Sequence, residues 1–236
     1  MQPTKAPSSF IHRPSTAFWM AAIAGFSDVL GFIGINRLFL SHITGNIVVA
    51  IAEIIYHSQG VASKIIAIPL FIVVALLITA YIESKGQTKT LLATYFVMEA
   101  LLLAGLMMMG VFMFPHLAIN SWTYLAGGML GVCAMAIHNT LLRTFMTHFP
   151  PCTVMTGNLT QFIVDVVSFS IGWRLPHSVE KRHNSRVNIK KHGNVLFGFS
   201  LGGICAAVGY VWIGFWAIIP VILILLMMAV KVLRSP

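Results

Sequence analysis

The sequence predicts an all-α, polytopic helical membrane protein with two sequence-related halves and six to eight membrane segments, two of which are interrupted helices. The first observation is composition: 58% of the 236 residues are hydrophobic and 9% are charged, whereas roughly 25% is usual in soluble domains. The mean hydropathy is +0.87. A water-soluble globule is therefore excluded. The formal charge of +9 is explained by basic residues in cytoplasmic loops, so no nucleic-acid partner is expected.

The second observation is the number of apolar segments, because a helical crossing needs about 20 predominantly apolar residues. Eight segments meet or approach this length, at 16–36, 38–57, 64–83, 90–114, 122–143, 152–172, 193–212 and 213–233. Six of them are continuous. The second and the sixth each contain a polar triplet, so the number of full crossings stays open between six and eight.

The third observation is that the two polar triplets are identical, which indicates an internal repeat. They are Thr44-Gly45-Asn46 and Thr156-Gly157-Asn158, and the second begins 112 residues after the first. The same shift places Glu53 over Asp165. We therefore expect a first membrane repeat over 1–114 and a second over 115–236, with a basic cytoplasmic loop at 174–192 inserted in the second.

The basic residues orient the chain, because Lys and Arg collect on the cytoplasmic side. If all eight segments cross, 11 of the 15 basic residues lie on the side of the N-terminus, and the repeats are parallel. If the two TGN segments are re-entrant, the count is 13 of 15 and the repeats are inverted. Both topologies place both termini in the cytoplasm. The topology with 13 of 15 basic residues on one side separates the basic residues more completely, so inverted repeats are favoured.

Acidic residues inside apolar segments are the most informative chemical feature. A charge at the centre of a bilayer costs about 2.5–3.5 kcal/mol on insertion scales, so such residues face a bundle interior or a watery cavity. The acids at these positions are Asp28, Glu53, Glu99 and Asp165. Glu53 and Asp165 each follow a TGN triplet by nine residues, which makes this pair the candidate proton-coupling groups. The alternative is that each acid pairs with a neighbouring polar group or stays protonated.

The TGN triplets are interpreted as helix breaks, because glycine relaxes the backbone and Asn competes for backbone hydrogen bonds. A break inside a membrane is tolerated where protein or a water-filled cavity satisfies the freed backbone groups. We therefore expect a solute-binding site lined by both triplets and faced by two further polar residues. Its predicted members are Asp28, Thr44, Gly45, Asn46, Asn139, Thr156, Gly157 and Asn158. The alternative is a kinked span packed through the glycines of the triplets.

No motif predicts a metal, a cofactor or a catalytic centre. The chain contains no HExxH, no GxSxG and no P-loop, so an enzyme is not expected. The cysteines form no CxxC pair and are interpreted as packing residues. His42 and His138 are interpreted as polar contacts between helices, and a proton relay is the alternative. The small-residue pair Gly198 and Gly202 predicts a close approach of two helices.

Four short motifs occur in order: Gly25-Phe-Ser-Asp28, the first TGN triplet, Asn139-Thr-Leu-Leu-Arg143, and the second triplet followed by Leu-Thr. With these motifs, which cover most of the chain, the sequence resembles the YoaK-like family of bacterial membrane proteins. The resemblance implies a bacterial inner-membrane protein with six spans and implies no particular activity. The basic insertion at 174–192 is a local departure.

The functional hypothesis is a secondary transporter or permease of the inner membrane for a small solute, with a buried acid that couples transport to protons. The alternative is a non-transporting integral membrane helper or structural component. A channel or an intramembrane enzyme is a third alternative. The expected partners are the lipid bilayer and an unknown small solute, and a homodimer is left open.

Overall fold

The computed structural model describes residues 13–119, 121–171 and 179–235. Within these ranges the chain forms α-helices and two short 3-10 turns, and no strand. The helices are α1 (Pro14–Gly34), α2 (Ile43–Ile55), α3 (Val61–Lys85), α4 (Lys89–Phe112), α5 (Trp122–Thr144), α6 (Met155–Ile171), α7 (Val179–Ile213) and α8 (Ile219–Arg234). The all-α prediction is confirmed.

Five helical segments of the described chain are long and apolar enough to cross a membrane. Four are α1, α3, α4 and α5, and the fifth, Glu180–Arg234, combines α7 and α8. The predicted membrane class is therefore confirmed. Helix α2 has 13 residues, which is about 20 Å of helix and less than the roughly 30 Å of a hydrocarbon core.

The basic segment predicted as a loop at 174–192 is largely helical, and this part of the prediction is wrong. Helix α7 is 35 residues long and begins at Val179, so the basic residues form its first turns. The physical reason is local composition, because no Pro or Gly lies between Val179 and Gly193 and Glu180 adds a favourable charge to the first turn. Residues 174–178 of the predicted loop lie outside the described residues.

Helices α1 and α7 run side by side in the same direction, with glycines at the contact. The Asn194 side chain donates to the Pro14 carbonyl oxygen at 2.6 Å. A Cβ atom at Gly198 would lie 2.6 Å from the Phe18 carbonyl oxygen, and one at Gly202 would collide with the carbonyl of Ala22. The predicted close approach at Gly198 and Gly202 is therefore confirmed.

Contacts between chain ends define two faces of the bundle. Gln87 donates to the Thr144 carbonyl oxygen at 3.0 Å, and Lys89 donates to the Ser235 carbonyl oxygen at 2.7 Å. We call this the C-terminal face, and α1 also begins here because Arg13 shares a groove with the end of α8. Lys64, at the start of α3, instead donates to the Asn36 carbonyl oxygen at 2.5 Å, just beyond the end of α1. We call the end of the bundle where Lys64 meets Asn36 the opposite face.

The short helices α2 and α6 begin inside the bundle. The Ser41 amide donates to Asp28 at 2.7 Å, and Asp28 lies six residues, or about 9 Å, before the end of α1. Helix α2 then runs to the opposite face, where Glu53 meets Lys64. Likewise, Thr153 donates to Asn139, which lies five residues before the end of α5.

Cysteine labelling from either side of the membrane tests this arrangement. In a variant without the three native cysteines, we expect Lys85→Cys and Ser235→Cys to react from the same side. Tyr56→Cys, at the exposed end of α2, is expected to react from the other side. The reason is that α2 ends beside the start of α3, whereas Lys85 lies at the other end of α3. Labelling of Lys85→Cys and Ser235→Cys from different sides would contradict the arrangement.

Candidate functional site

Asp28 holds together the chain that precedes α2. Its carboxylate is 2% exposed and accepts hydrogen bonds from the Ser41 amide at 2.7 Å and the Ser41 hydroxyl at 2.5 Å. It also accepts from the His42 amide at 3.3 Å and pairs with Nδ1 of the His42 ring. The acid on α1 thus supplies a negative charge at the N-terminal end of α2, where the helix dipole favours it.

The Asn of each triplet ties a short helix back to the loop before it. Asn46 donates to the Phe39 carbonyl oxygen at 2.8 Å and accepts from the Phe39 amide at 2.9 Å. Asn158 donates to the Pro151 carbonyl oxygen at 2.7 Å. Both contacts span seven residues, and both asparagines are buried. The two triplets therefore perform the same local task.

The triplets lie in the first turns of α2 and α6, and the break in each apolar segment precedes them. The prediction that the triplets themselves interrupt a helix is therefore wrong in detail. The reason is that Asn46 and Asn158 use their side chains to satisfy loop backbone groups, while their own backbone stays helical. Gly45 packs under the Phe39 ring, where a Cβ atom would lie 2.9 Å away.

An open cavity of about 620 Å³, with both polar and apolar residues in its wall, lies where the two loops meet. Thr153 donates to the Asn139 side chain at 2.8 Å, and the His42 ring lies near the backbone of Thr153 and interacts with it electrostatically. The first loop is thus joined directly to the second. The lining residues come from the loops, α2, α3 and α5, and include Ser41, His42, Thr44, Asn139, Arg143 and Thr153.

Of the predicted site residues, the structure brings Thr44 and Asn139 to the cavity wall. Asp28 lies directly behind them, through its contact with His42. Gly45, Asn46 and Asn158 support the loops, as described above. Thr156 and Gly157 are exposed and are not part of the cavity wall.

Sequence reasoning did not assign His42, Arg143 and Thr153 to the site. Arg143 is exposed and lines the cavity, and within the described chain its guanidinium has no ion pair. The available signals were spacings: Arg143 follows Asn139 by one helical turn, and His42 comes two residues before the first triplet.

The two predicted proton-coupling acids lie away from the cavity wall and towards different faces. Glu53 and Lys64 are both buried and pair at 2.9 Å, near the opposite face. Asp165 accepts from Gln161 at 3.0 Å and interacts electrostatically with His192 of α7. Glu53 therefore connects α2 to α3, and Asp165 connects α6 to α7. Their coupling role stays a prediction.

Another buried acid joins three helices. Glu99 of α4 lies 2.7 Å from Nδ1 of His138 on α5, and Nε2 of His138 lies 3.0 Å from the Met20 carbonyl oxygen of α1. Both side chains are completely buried. Because His138 meets groups on α1 and α4 at once, the pair fixes the packing of the bundle centre, as expected for a polar contact between helices.

These features define a helical membrane protein in which two short helices begin inside the bundle beside a shared polar cavity. The chain belongs to the family described as "Protein of unknown function (DUF1275)", whose model matches residues 16–231. No curated protein and no solved structure matches the chain. The family match spans both triplets and every residue of the cavity wall.

Replacement of the triplet asparagines tests their supporting role. We expect Asn46→Ala and Asn158→Ala each to destabilise the protein by about 1–3 kcal/mol, because buried loop backbone groups lose their partners. Melting temperature in detergent measures the effect. Thr160→Ala is the control, because the exposed Thr160 hydroxyl bonds within its own helix. Equal melting of the Asn and Thr variants would contradict the assignment.

Separate and joint replacement of the buried pair tests whether Glu53 and Lys64 depend on each other. We expect Lys64→Met to cost about 3–5 kcal/mol, because it leaves the buried Glu53 charge without a partner. The double variant Glu53→Leu/Lys64→Met is expected to recover most of this loss. Lys85→Met, at the exposed end of the same helix, is the control. A double variant that melts below both single variants would argue against a simple pair.

Proposed function

We propose that the protein is a secondary transporter or permease for a small solute and that the cavity between the two loops is its binding site. The observation that carries the proposal is one cavity whose wall includes residues of both loops that precede the short helices, one loop from each half, together with polar side chains of α2 and α5. Transporter sites are built in this way from discontinuous helices near the membrane midplane. The volume of about 620 Å³ is suitable for a small molecule.

The helix contacts support the proposed division into repeats at 1–114 and 115–236. Helix α1 packs on α7, and its counterpart α5 packs on α3; α2 packs on α3, and α6 packs on α7. Helix α4 packs on its own counterpart, α8. Exchange of each helix for its counterpart therefore reproduces these contacts, but it does not reproduce the contact between α4 and α5, whose equivalent between α8 and α1 is minor.

The contacts also favour inverted repeats with six crossings and two re-entrant helices. Helix α1 runs from the C-terminal face and α5 runs towards it. Helices α2 and α6 return to different faces, with the former ending near Lys64 and the latter near His192. In this topology 13 of the 15 basic residues lie on the side of both termini, which favours a cytoplasmic location for that side. With the YoaK-like resemblance, this supports a bacterial inner-membrane protein.

An asymmetry between equivalent helix pairs supports alternating access. The cavity lies between α3 and α5 and reaches Thr144, at the C-terminal face. The equivalent contact between α1 and α7 is closed, because Gly25 lies directly against the Phe199 backbone. The His42 ring also packs on the Phe199 ring at a centroid distance of 5.6 Å. Exchange of the open and closed contacts would expose the same site to the opposite face.

We assign the proton-coupling step to His42, which is held by Asp28, and the predicted pair Glu53 and Asp165 is the alternative. His42 lines the cavity and contacts Asp28 in the first half and the Thr153 backbone in the second. Imidazole exchanges its proton in the physiological pH range, and a neutral ring donates through only one nitrogen. Loss of the proton would therefore weaken one of the two contacts. The charged groups that face His42 are Asp28 on α1 and Arg143 across the cavity.

Reconstituted vesicles test the proposed transport and its coupling. Vesicles loaded with a fluorescent pH indicator are exposed to small anions, cations and neutral solutes, and solute uptake and internal pH are both recorded. We expect wild-type protein to move one class of solute with a change in internal pH. His42→Gln is expected to keep solute exchange and lose the pH change, because glutamine carries no exchangeable charge.

His116→Gln is the matched control, because His116 is an exposed histidine on a 3-10 turn away from the cavity. It is expected to behave as the wild type in both measurements. If folded wild-type protein moves no solute of any charge class, the transporter proposal is wrong. If His42→Gln keeps the wild-type pH change, transport can stand but the coupling assignment is wrong.

A further inference from the structure

The charge of the cavity wall is positive. The ionisable residues that line it are His42 and Arg143, and the lining includes no acid. The nearest acid, Asp28, is buried behind the wall and already accepts hydrogen bonds from Ser41 and His42. Arg143 therefore contributes a charge that no acid of the described chain pairs.

The two halves differ in the side chain that contacts the loop before each short helix. In the first half Asp28 supplies a carboxylate to the residues before α2. In the second half the group in contact with the loop is Asn139, a neutral amide that accepts from the Thr153 hydroxyl. Helix α6 also has no acidic residue in its first turn. The first turn of α6 therefore supplies no acid to the positive end of the helix dipole, and this end lies near the same cavity as Arg143.

The remaining wall is apolar. Ile43, Phe71, Ala75 and Val154 contribute side chains to the same cavity, and Thr44, Thr79 and Thr140 contribute hydroxyls. An arginine guanidinium is planar and binds a carboxylate through two parallel hydrogen bonds. A solute that satisfies this wall would carry one anionic group for Arg143 and a hydrocarbon part for the apolar side chains.

We propose that the solute is a small organic anion, whose carboxylate binds Arg143 at the cavity between α3 and α5. This inference rests on the proposed function, because it names the class of solute that the transporter site takes. A phosphate group has related oxyanion chemistry, and an anionic lipid headgroup could supply it. The experiment therefore separates a free solute from a headgroup.

Three probes of nearly equal size and different charge test the proposal: benzoate, benzamide and benzylammonium. Binding to purified protein is measured by the rise in melting temperature with probe concentration, and uptake is measured in vesicles with the same probes. We expect benzoate to stabilise the wild type in a saturable way, and the neutral and cationic probes to have little effect. The binding measurement does not depend on transport.

Variants of Arg143 connect the binding to this residue. We expect Arg143→Gln to weaken benzoate binding by at least about tenfold, because the charge and the paired donors are lost together. Arg143→Lys is expected to recover part of it, because it restores the charge and not the planar fork. Arg234→Gln is the matched control, because Arg234 ends α8 at the C-terminal face and does not line the cavity.

The outcomes separate this proposal from the proposed function. Benzoate binding that depends on Arg143 without uptake supports the anion site and contradicts transport of this probe. Uptake of benzamide or benzylammonium that Arg143→Gln leaves unchanged supports transport and overturns the anion proposal. Equal benzoate binding by wild type and Arg143→Gln also overturns it. Benzoate binding that is lost in phosphatidylglycerol vesicles and retained in phosphatidylcholine vesicles assigns the site to a headgroup and overturns the free solute.

Discussion

The need to satisfy backbone hydrogen bonds inside a low-dielectric bundle controls the architecture of this protein. Two helices start well inside the bundle, and each start leaves amide groups without helical partners. Asp28 satisfies the amides of Ser41 and His42 before α2. Asn46 and Asn158 then fasten the preceding loops.

The fold was predictable because membrane insertion depends on average composition over about 20 residues, and the apolar segments record that average directly. The interruptions were also predictable, because a repeated polar triplet is rare in such segments. The position of each interruption relative to its triplet was not predictable. Hydropathy cannot distinguish a triplet that breaks a helix from one that begins it, since that depends on whether the Asn46 side chain finds Phe39. The helical start of α7 was missed because a basic segment between two spans has the composition of a loop.

The candidate site was predictable only in part, for a related reason. The polar residues Asp28, Thr44 and Asn139 stand out against an apolar background, and the structure gathers them around one cavity. The sequence, however, does not indicate which residue a buried acid pairs with. Glu53 finds Lys64 and Glu99 finds His138, and both pairs connect neighbouring helices. A charged side chain inside a membrane segment is therefore better evidence that its helix face is turned to the bundle interior than that it takes part in a reaction.

The two halves of the chain differ in the contacts that hold their loops. In the first half, the contact between Asp28 and His42 places the His42 ring against Phe199 of α7, whereas in the second half Asn139 and Thr153 meet beside the cavity at α3 and α5. Because the His42 ring also interacts electrostatically with the Thr153 backbone, one side chain connects the two loops. Under the proposed coupling, a change in the charge of that ring would act on both contacts together.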